Sequence, residues 1–456
     1  MTSLIPISSR LRIDPSPRER VAEGRALRQV ARRSANADWS PPPSRPDIVE
    51  TLESTNRGRL QSLIPIRYGR MLASPFAFLR GSAAIMAADL ASTPQTGLWP
   101  QICGDAHLGN FGGFATPERN LIFDLNDFDE TLQGPWEWDV KRLVASIFVC
   151  GRVIGLADEA CQDAVLRAVR SYRERMRSYA GMRYLEVWYE RIDAVDAVGH
   201  GDSGLEPLEK ALFKGRRKTN VETLPKLAEQ VDGHWIISDD PPLLIHQAGA
   251  LTRHFPEFLA SYKESLAEDR RTFFERYELV DWARKVVGIG SVGTRCYVTL
   301  FLGSHDGDPL FLQIKEARQS VLARPLGRGQ RAHHGERVVT GQRIMQAASD
   351  PFLGWARIGR RHFYVRQLRD MKSSVALDDL NADELSDYGS LCAWALARAH
   401  ARSGDAARIS GYLGKTSCFD EAIATFAAAY ADQTERDYNV LVAAARTGKI
   451  RAVTDL

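Results

Sequence analysis

Gly104-Asp105-Ala106-His107-Leu108-Gly109-Asn110-Phe111-Gly112 stands shortly before a second polar cluster, Phe123-Asp124-Leu125-Asn126-Asp127-Phe128-Asp129-Glu130. Between them they hold five carboxylates, a His and two Asn. The first piece is Gly-rich and lies between apolar segments, so it reads as a loop. The second follows Leu121-Ile122-Phe123, an apolar run that reads as a strand delivering Asp124, Asp127 and Asp129 to one end of a sheet. Polar groups on a loop between buried elements commonly make a site. The plainer alternative is a pair of Asx-rich turns whose side chains only satisfy the backbone.

The rest of the chain bounds the answer. With 456 residues, two lobes or domains are expected. Hydrophobic content of 44% and charged content of 26% belong to an ordinary globular chain with ample core. A net charge of +3 is too mild to argue for nucleic acid or a membrane surface. Cys103, Cys150, Cys161, Cys296, Cys392 and Cys418 are scattered without Cys-x-x-Cys spacing, as reduced thiols of a cytoplasmic protein would be. Met1 to Arg20 has no apolar core, so no signal peptide is expected. The run Leu143 to Leu156 is interrupted by Arg152 and is too short to span a bilayer.

In chain order, residues 1–45 are rich in Arg, Ser and Pro and read as an extended or partly disordered arm. Residues 46–280 read as a helical lobe carrying the polar clusters, with Trp136 to Val153 as a helix and 192–245 as an insertion or connector. Residues 281–372 change to strands, and 373–456 return to helix, with Ser410 to Gly414 as a break.

The strand-rich part opens with Gly288-Ile289-Gly290-Ser291-Val292-Gly293. A dinucleotide-binding turn would lead into a helix. Here Cys296-Tyr297-Val298-Thr299-Leu300-Phe301 follows, which reads as a strand. A strand–Gly loop–strand lays backbone amides over a nucleotide's phosphates in kinases, although a Gly-rich hairpin without ligand has the same pattern. Lys315 sits inside the apolar strand Phe311 to Ala317. A buried ammonium needs an anionic partner, unless the strand is an edge and Lys315 faces water. It resembles the strand Lys that holds α/β-phosphates and pairs with a helix Glu. Glu336, opening the next helix, is the candidate partner, or else simply complements that helix's dipole.

Asp105 and Asn110 have the Asp-x-x-x-x-Asn spacing of the kinase catalytic loop, and Asp127-Phe128-Asp129 resembles the metal-holding Asp-Phe-Gly. Asp139, at the start of the following helix, resembles the acid that braces such a loop, or is a helix-terminus acid. The order is that of a circular permutation, with the catalytic loop before the nucleotide lobe. Gly104 to Gly112, Asn126 to Glu130, Gly134 to Asp139, Lys285 to Arg295, Gln313 to Ala317 and Tyr364 to Lys372 also resemble the bacterial domain of unknown function 2252, a family grouped with kinase-like folds. The resemblance covers about residues 45 to 445.

These readings imply an α+β, two-lobed, circularly permuted kinase-like fold, with a small β-rich nucleotide lobe and a larger helical lobe. The expected function is ATP- and Mg²⁺-dependent phosphotransfer to a small-molecule acceptor. Asp105 is the expected base. Asn110, Asp127 and Asp129 are the metal ligands, and Gly288, Gly290, Ser291, Gly293, Lys315 and Glu336 the nucleotide-binding set. Nucleotidyl transfer is open on the same residues. The alternatives are a metal-dependent hydrolase using Asp105, His107, Asp124, Asp127 and Asp129, or a nucleotide-binding module without catalysis. The basic run Lys214 to Lys218 reads as a solvated surface or an anion contact.

Overall fold

The acid-bearing stretch folds as a hairpin wedged into a helical core. The computed structural model describes residues 15–201, 205–246, 250–328, 332–368 and 371–454. With 52% helix and 15% strand, it is α+β. In the first half, β1 (Gln101–Ile102), β2 (Phe111–Ala115), β3 (Leu121–Leu125) and β4 (Leu132–Gln133) form two small antiparallel pairs, β1 with β4 and β2 with β3. The helix Trp136–Val153 follows, and from Trp136 to Gly151 every residue is buried. Its charged residues Glu137, Asp139, Lys141 and Arg142 are buried with the rest, and burial on all sides calls for neighbours on all sides. These include the helices Asp158–Ala180, Ala382–Ser403 and Cys418–Arg446. Trp136 stacks on Tyr172 with ring centroids 5.7 Å apart.

The remaining strands are β5 (Ala228–Val231), β6 (His234–Ile237), β7 (Leu244–Ile245), β8 (Glu278–Lys285), β9 (Cys296–Leu302), β10 (Pro309–Ala317), β11 (Gly354–Ile358) and β12 (Arg361–Gln367). β5 and β6 form a separate hairpin. The others make one six-stranded antiparallel sheet in the order β11-β12-β10-β9-β8-β7. Phe258, Tyr262, Phe274, Phe301, Phe352 and Phe363 join this sheet to the helices Ala250–Ser265 and Glu268–Phe274. The helix His334–Met345 lies between β10 and β11 in sequence and touches both the sheet and β1. Among the described residues, no helix is long and apolar enough to cross a membrane.

Three boundaries differ from the sequence reading. Pro17–Ala26 is a helix, not an extended arm; residues 1–14 lie outside the described residues. Ser16 and Glu19 form its capping box, and its packing is close backbone contact rather than an apolar stripe. A Cβ on Gly24 would lie 2.0 Å from the Arg408 carbonyl oxygen, and one on Gly411 2.1 Å from that of Val21. Such contacts leave no periodicity to read. The connector 192–245 supplies β7 to the six-stranded sheet, and β8 begins at Glu278, ahead of the expected lobe boundary. A two-residue strand is too short to show alternation. Finally, Ser410 and Gly411 lie inside the helix Ala406–Leu413, and the chain breaks only at Gly414, with φ +73°.

Candidate active site

The polar loop is held open by a buried acid. Asp139 projects from the first turns of the Trp136–Val153 helix, and its carboxylate accepts from the backbone amides of Cys103 (2.7 Å) and Gly104 (2.8 Å). His400 Nε2 lies 3.2 Å from the same carboxylate. Gly104 has φ +83°, and a Cβ there would lie 2.6 Å from the Glu130 carbonyl oxygen, so only glycine fits. The Asn126 amide donates to the Asn110 carbonyl oxygen (2.8 Å), extending the β2–β3 pairing and bringing Asn110 beside Asp127. The Asn110 side-chain NH₂ donates to the Asp105 carbonyl oxygen (2.6 Å), which leaves its Oδ1 as the free atom.

Asp105 has a partner that the sequence reading missed. Arg142 donates Nε to its Oδ1 at 2.8 Å, and Nη2 lies 2.7 Å from that oxygen. Asp139 and Arg142 are three residues apart on one helix face, which is the signal that was available. Asp105 Oδ2 faces His107 Nε2 at 3.8 Å. Burial pushes the Asp105 pKa up against the lowering effect of Arg142. Burial also keeps the His107 ring neutral, with its Nδ1 unpartnered.

Across the cleft, Lys315 of β10 reaches the acid cluster. Its Nζ lies 2.5 Å from Asp129 Oδ2 and 3.6 Å from Asp127 Oδ2. Tyr364 of β12 donates to Asp129 Oδ1 (2.7 Å), and Ser291 Oγ donates to Asp129 Oδ2 (3.0 Å). Both Asp129 oxygens thus have donors, and in this arrangement the carboxylate is the counter-ion of Lys315 and a latch to Ser291 and Tyr364. Glu336 is not the partner of Lys315. It is exposed, and the neighbouring Arg337 is the residue that turns inward, donating to the carbonyl oxygens of Asp129 (2.7 Å) and Thr131. One residue along a helix is a rotation of about 100°, enough to exchange the faces. Asp124 is fully buried against Arg398 and takes no part in the cleft. Among the described residues, no three His, Cys, Asp or Glu side chains converge to hold a metal ion.

The turn Gly288 to Gly293 joins β8 to β9 and contains one short helical turn, Ile289–Ser291. Gly293 has φ +85°. Gly288, Gly290 and Ser291 line a cavity of about 150 Å³ together with Asp105, Asn110 and Lys315. A cavity of about 910 Å³ adjoins it and shares Asp129 and Ser291 as walls.

The ion pair sets an acid limit. Burial alone would raise the Asp129 pKa, but Lys315, with the Tyr364 hydroxyl, outweighs it and holds the group below its ordinary 3.8. A depressed carboxylate pKa contributes stability that is complete above the unfolded value and is lost as pH falls through the folded one. Urea unfolding of wild type and Asp129→Asn is therefore expected to differ by a constant amount from neutrality down to about pH 4, then to converge. A gap that closes between about pH 5 and 7 refutes the assignment.

The chain matches, over residues 59–444, the family described as "Uncharacterized protein conserved in bacteria (DUF2252)". It belongs to that family. No curated protein and no solved structure matches it.

Proposed function

We propose that this member of an uncharacterised bacterial family is an ATP- and Mg²⁺-dependent phosphotransferase with a small-molecule acceptor, on a kinase-like fold with its lobes in permuted order. One observation carries the reading. Lys315 and the Gly288–Gly293 turn, far along the chain from Asp105 and Asp127, line the same cavity with them. The chain order within the sheet supports it. A Gly-rich turn joins β8 to β9, the Lys lies on the next strand, and a helix follows, as in the kinase nucleotide lobe.

The residues present fit Mg²⁺ and a nucleotide. Asn110 Oδ1 and the partly exposed Asp127 carboxylate are hard oxygens; Asp127 Oδ1 accepts from the Asp129 amide at 3.2 Å, and its Oδ2 faces Lys315 at 3.6 Å. Bound Mg²⁺ would neutralise phosphate charge. Lys315 and the turn amides would grip the phosphates. Asp105 would accept the acceptor's proton, with Arg142 fixing the orientation of its carboxylate. Asp129 releases Lys315 and Ser291 when a nucleotide enters, because the closed 150 Å³ cavity is smaller than the roughly 300–1,000 Å³ of most ligand pockets. The dispersal of the acids onto Arg142, Lys315 and Arg398 disfavours a hydrolase centre built from all of them.

Calorimetric titration with Mg·ATP tests the reading. Wild type is expected to bind, and Asp127→Asn and Lys315→Met each to bind at least about tenfold more weakly, since each removes a charge-assisted contact. No binding by wild type, or unchanged affinity in both variants, removes the nucleotide from the function.

A further inference from the structure

We infer that Arg59, Arg67 and Arg80 form an anion site for the acceptor, which is therefore a small metabolite carrying a phosphate or carboxylate group. This rests on the phosphotransfer reading for the word acceptor; the anion site itself stands on the geometry.

All three arginines precede the Asp105 loop, and all three line the small cavity. Arg59 donates Nε to the Thr55 carbonyl oxygen (3.1 Å) and Nη1 to that of Val292 (2.6 Å). Arg67 donates to Thr55 Oγ1 (3.1 Å), to Asn56 Oδ1 (2.5 Å) and to the Gly81 carbonyl oxygen (2.9 Å). The Nε atoms of Arg67 and Arg80 are buried without a hydrogen-bond partner. None of the three has a carboxylate within 4.0 Å among the described residues. The acids that act on Arg80 from further away are Asp105, Asp127 and Asp378; those acting on Arg59 are Glu130 and Asp129.

The other cleft cations differ. Lys315 has Asp127 and Asp129, Arg142 has Asp105, and Arg366 has its pKa raised by the nearby carboxylates of Asp127 and Asp129 despite its burial. Burial instead lowers Arg59 to about 9 and Arg67 to about 10, and lowers Arg80 as well. A buried cation without a counter-ion is costly. Guanidinium groups converging on a cavity match the planar geometry of phosphate and carboxylate. Arg80 and Asp105 line one cavity, so an acceptor whose anion rests on the arginines has its hydroxyl at the proposed base. The adjoining 910 Å³ cavity reaches Arg59 and adds Arg57, Arg318 and Arg324 alongside Glu50, Asp129, Glu130 and Glu316, with no aromatic ring in its lining. That mixed-charge, ring-free lining favours a polar acceptor over an aromatic one, and the anionic character rests on Arg59, Arg67 and Arg80.

Inorganic phosphate is the probe, titrated calorimetrically into wild type, Arg80→Gln and Arg80→Lys, each with and without saturating Mg²⁺ and a non-hydrolysable ATP analogue. The expected result is phosphate binding to wild type in both conditions, at least tenfold weaker in Arg80→Gln and partly restored in Arg80→Lys. Analogue affinity should stay within twofold throughout. Phosphate should raise the melting temperature of wild type and not of Arg80→Gln, whose own melting temperature should be unchanged or higher. A merely structural arginine would lower it. Absence of phosphate binding, or equal binding by Arg80→Gln, overturns the site. Phosphate displaced by the analogue assigns the wall to the nucleotide and overturns the acceptor. Arg80-dependent phosphate binding without any analogue binding overturns the phosphotransfer reading and leaves the anion site standing.

Discussion

Under the proposed phosphotransfer, Asp105→Asn is expected to keep Mg·ATP affinity close to wild type and to lose turnover by about 10²–10⁴-fold, the range of a general base. Asn has nearly the shape of Asp and can still accept from Arg142, but it cannot take a proton. Arg142 makes this test sharper. It fixes Asp105 Oδ1, and a second donation, to the Leu79 carbonyl oxygen at 2.7 Å, holds the guanidinium in place when the carboxylate is gone. Nucleotide affinity is therefore the control for folding. Basal ATP hydrolysis, followed by ADP release, suffices as the turnover assay before the acceptor is known. Turnover equal to wild type removes Asp105 from the chemistry. Loss of a copurifying metal without nucleotide dependence redirects the site to the hydrolase alternative.

The parts of the site that were legible in the sequence are those where chemistry forces composition. Asp105, Asn110 and Asp127 lie within one short span; the hairpin brings Asn110 to Asp127, and Asp139 and Arg142 of the next helix fix Asp105. Lys315 was legible because a Lys in an apolar strand demands an anion. Which anion was not legible. The choice among Glu336, Asp127 and Asp129 depends on how the His334–Met345 helix is rotated and on how the sheet is seated over the hairpin. Neither is encoded near Lys315. The outcome also changes the meaning of Asp129. In place of a glycine, the chain has a carboxylate that ties Ser291, Lys315 and Tyr364 together. It closes the cleft from three elements at once.

The arginines were the least legible feature. Arg59, Arg67 and Arg80 follow no motif, and an isolated arginine is by default a solvated one. Only their burial against the cleft, without acids of their own, sets them apart. The same holds for the N-terminal helix Pro17–Ala26, whose glycine contacts leave no apolar stripe. The α+β class, by contrast, followed from the change of pattern over residues 281–372, because β-branched and aromatic runs differ visibly from the Ala-rich helices around them.

Asp124→Ala is expected to destabilise the protein by about 3–5 kcal/mol, because it strands a buried arginine without its partner. Asp124 and Arg398 are both fully buried, and Arg398 Nη2 lies 2.7 Å from each Asp124 oxygen. The carboxylate also accepts from the amides of Leu125 and Ala347, both at 2.9 Å, and Arg398 donates to the Met345 carbonyl oxygen at 2.8 Å. One pair thus joins β3, the end of the His334–Met345 helix and the Ala382–Ser403 helix. Arg398 Nε and Nη1 already lack partners, so nothing else nearby compensates the charge. Against the roughly 5–15 kcal/mol of a whole domain, that loss is large. It separates two meanings of a lost activity, since Asp124 lies outside the cleft and acts only on the placement of the hairpin. Replacing both partners by apolar residues, as in Asp124→Leu with Arg398→Met, is expected to recover most of the loss, because no charge is then left buried. Urea unfolding of the two singles and the double measures the coupling. A single-variant loss below about 1 kcal/mol, or a double as unstable as the singles, refutes the pair as the clamp that seats the acid hairpin.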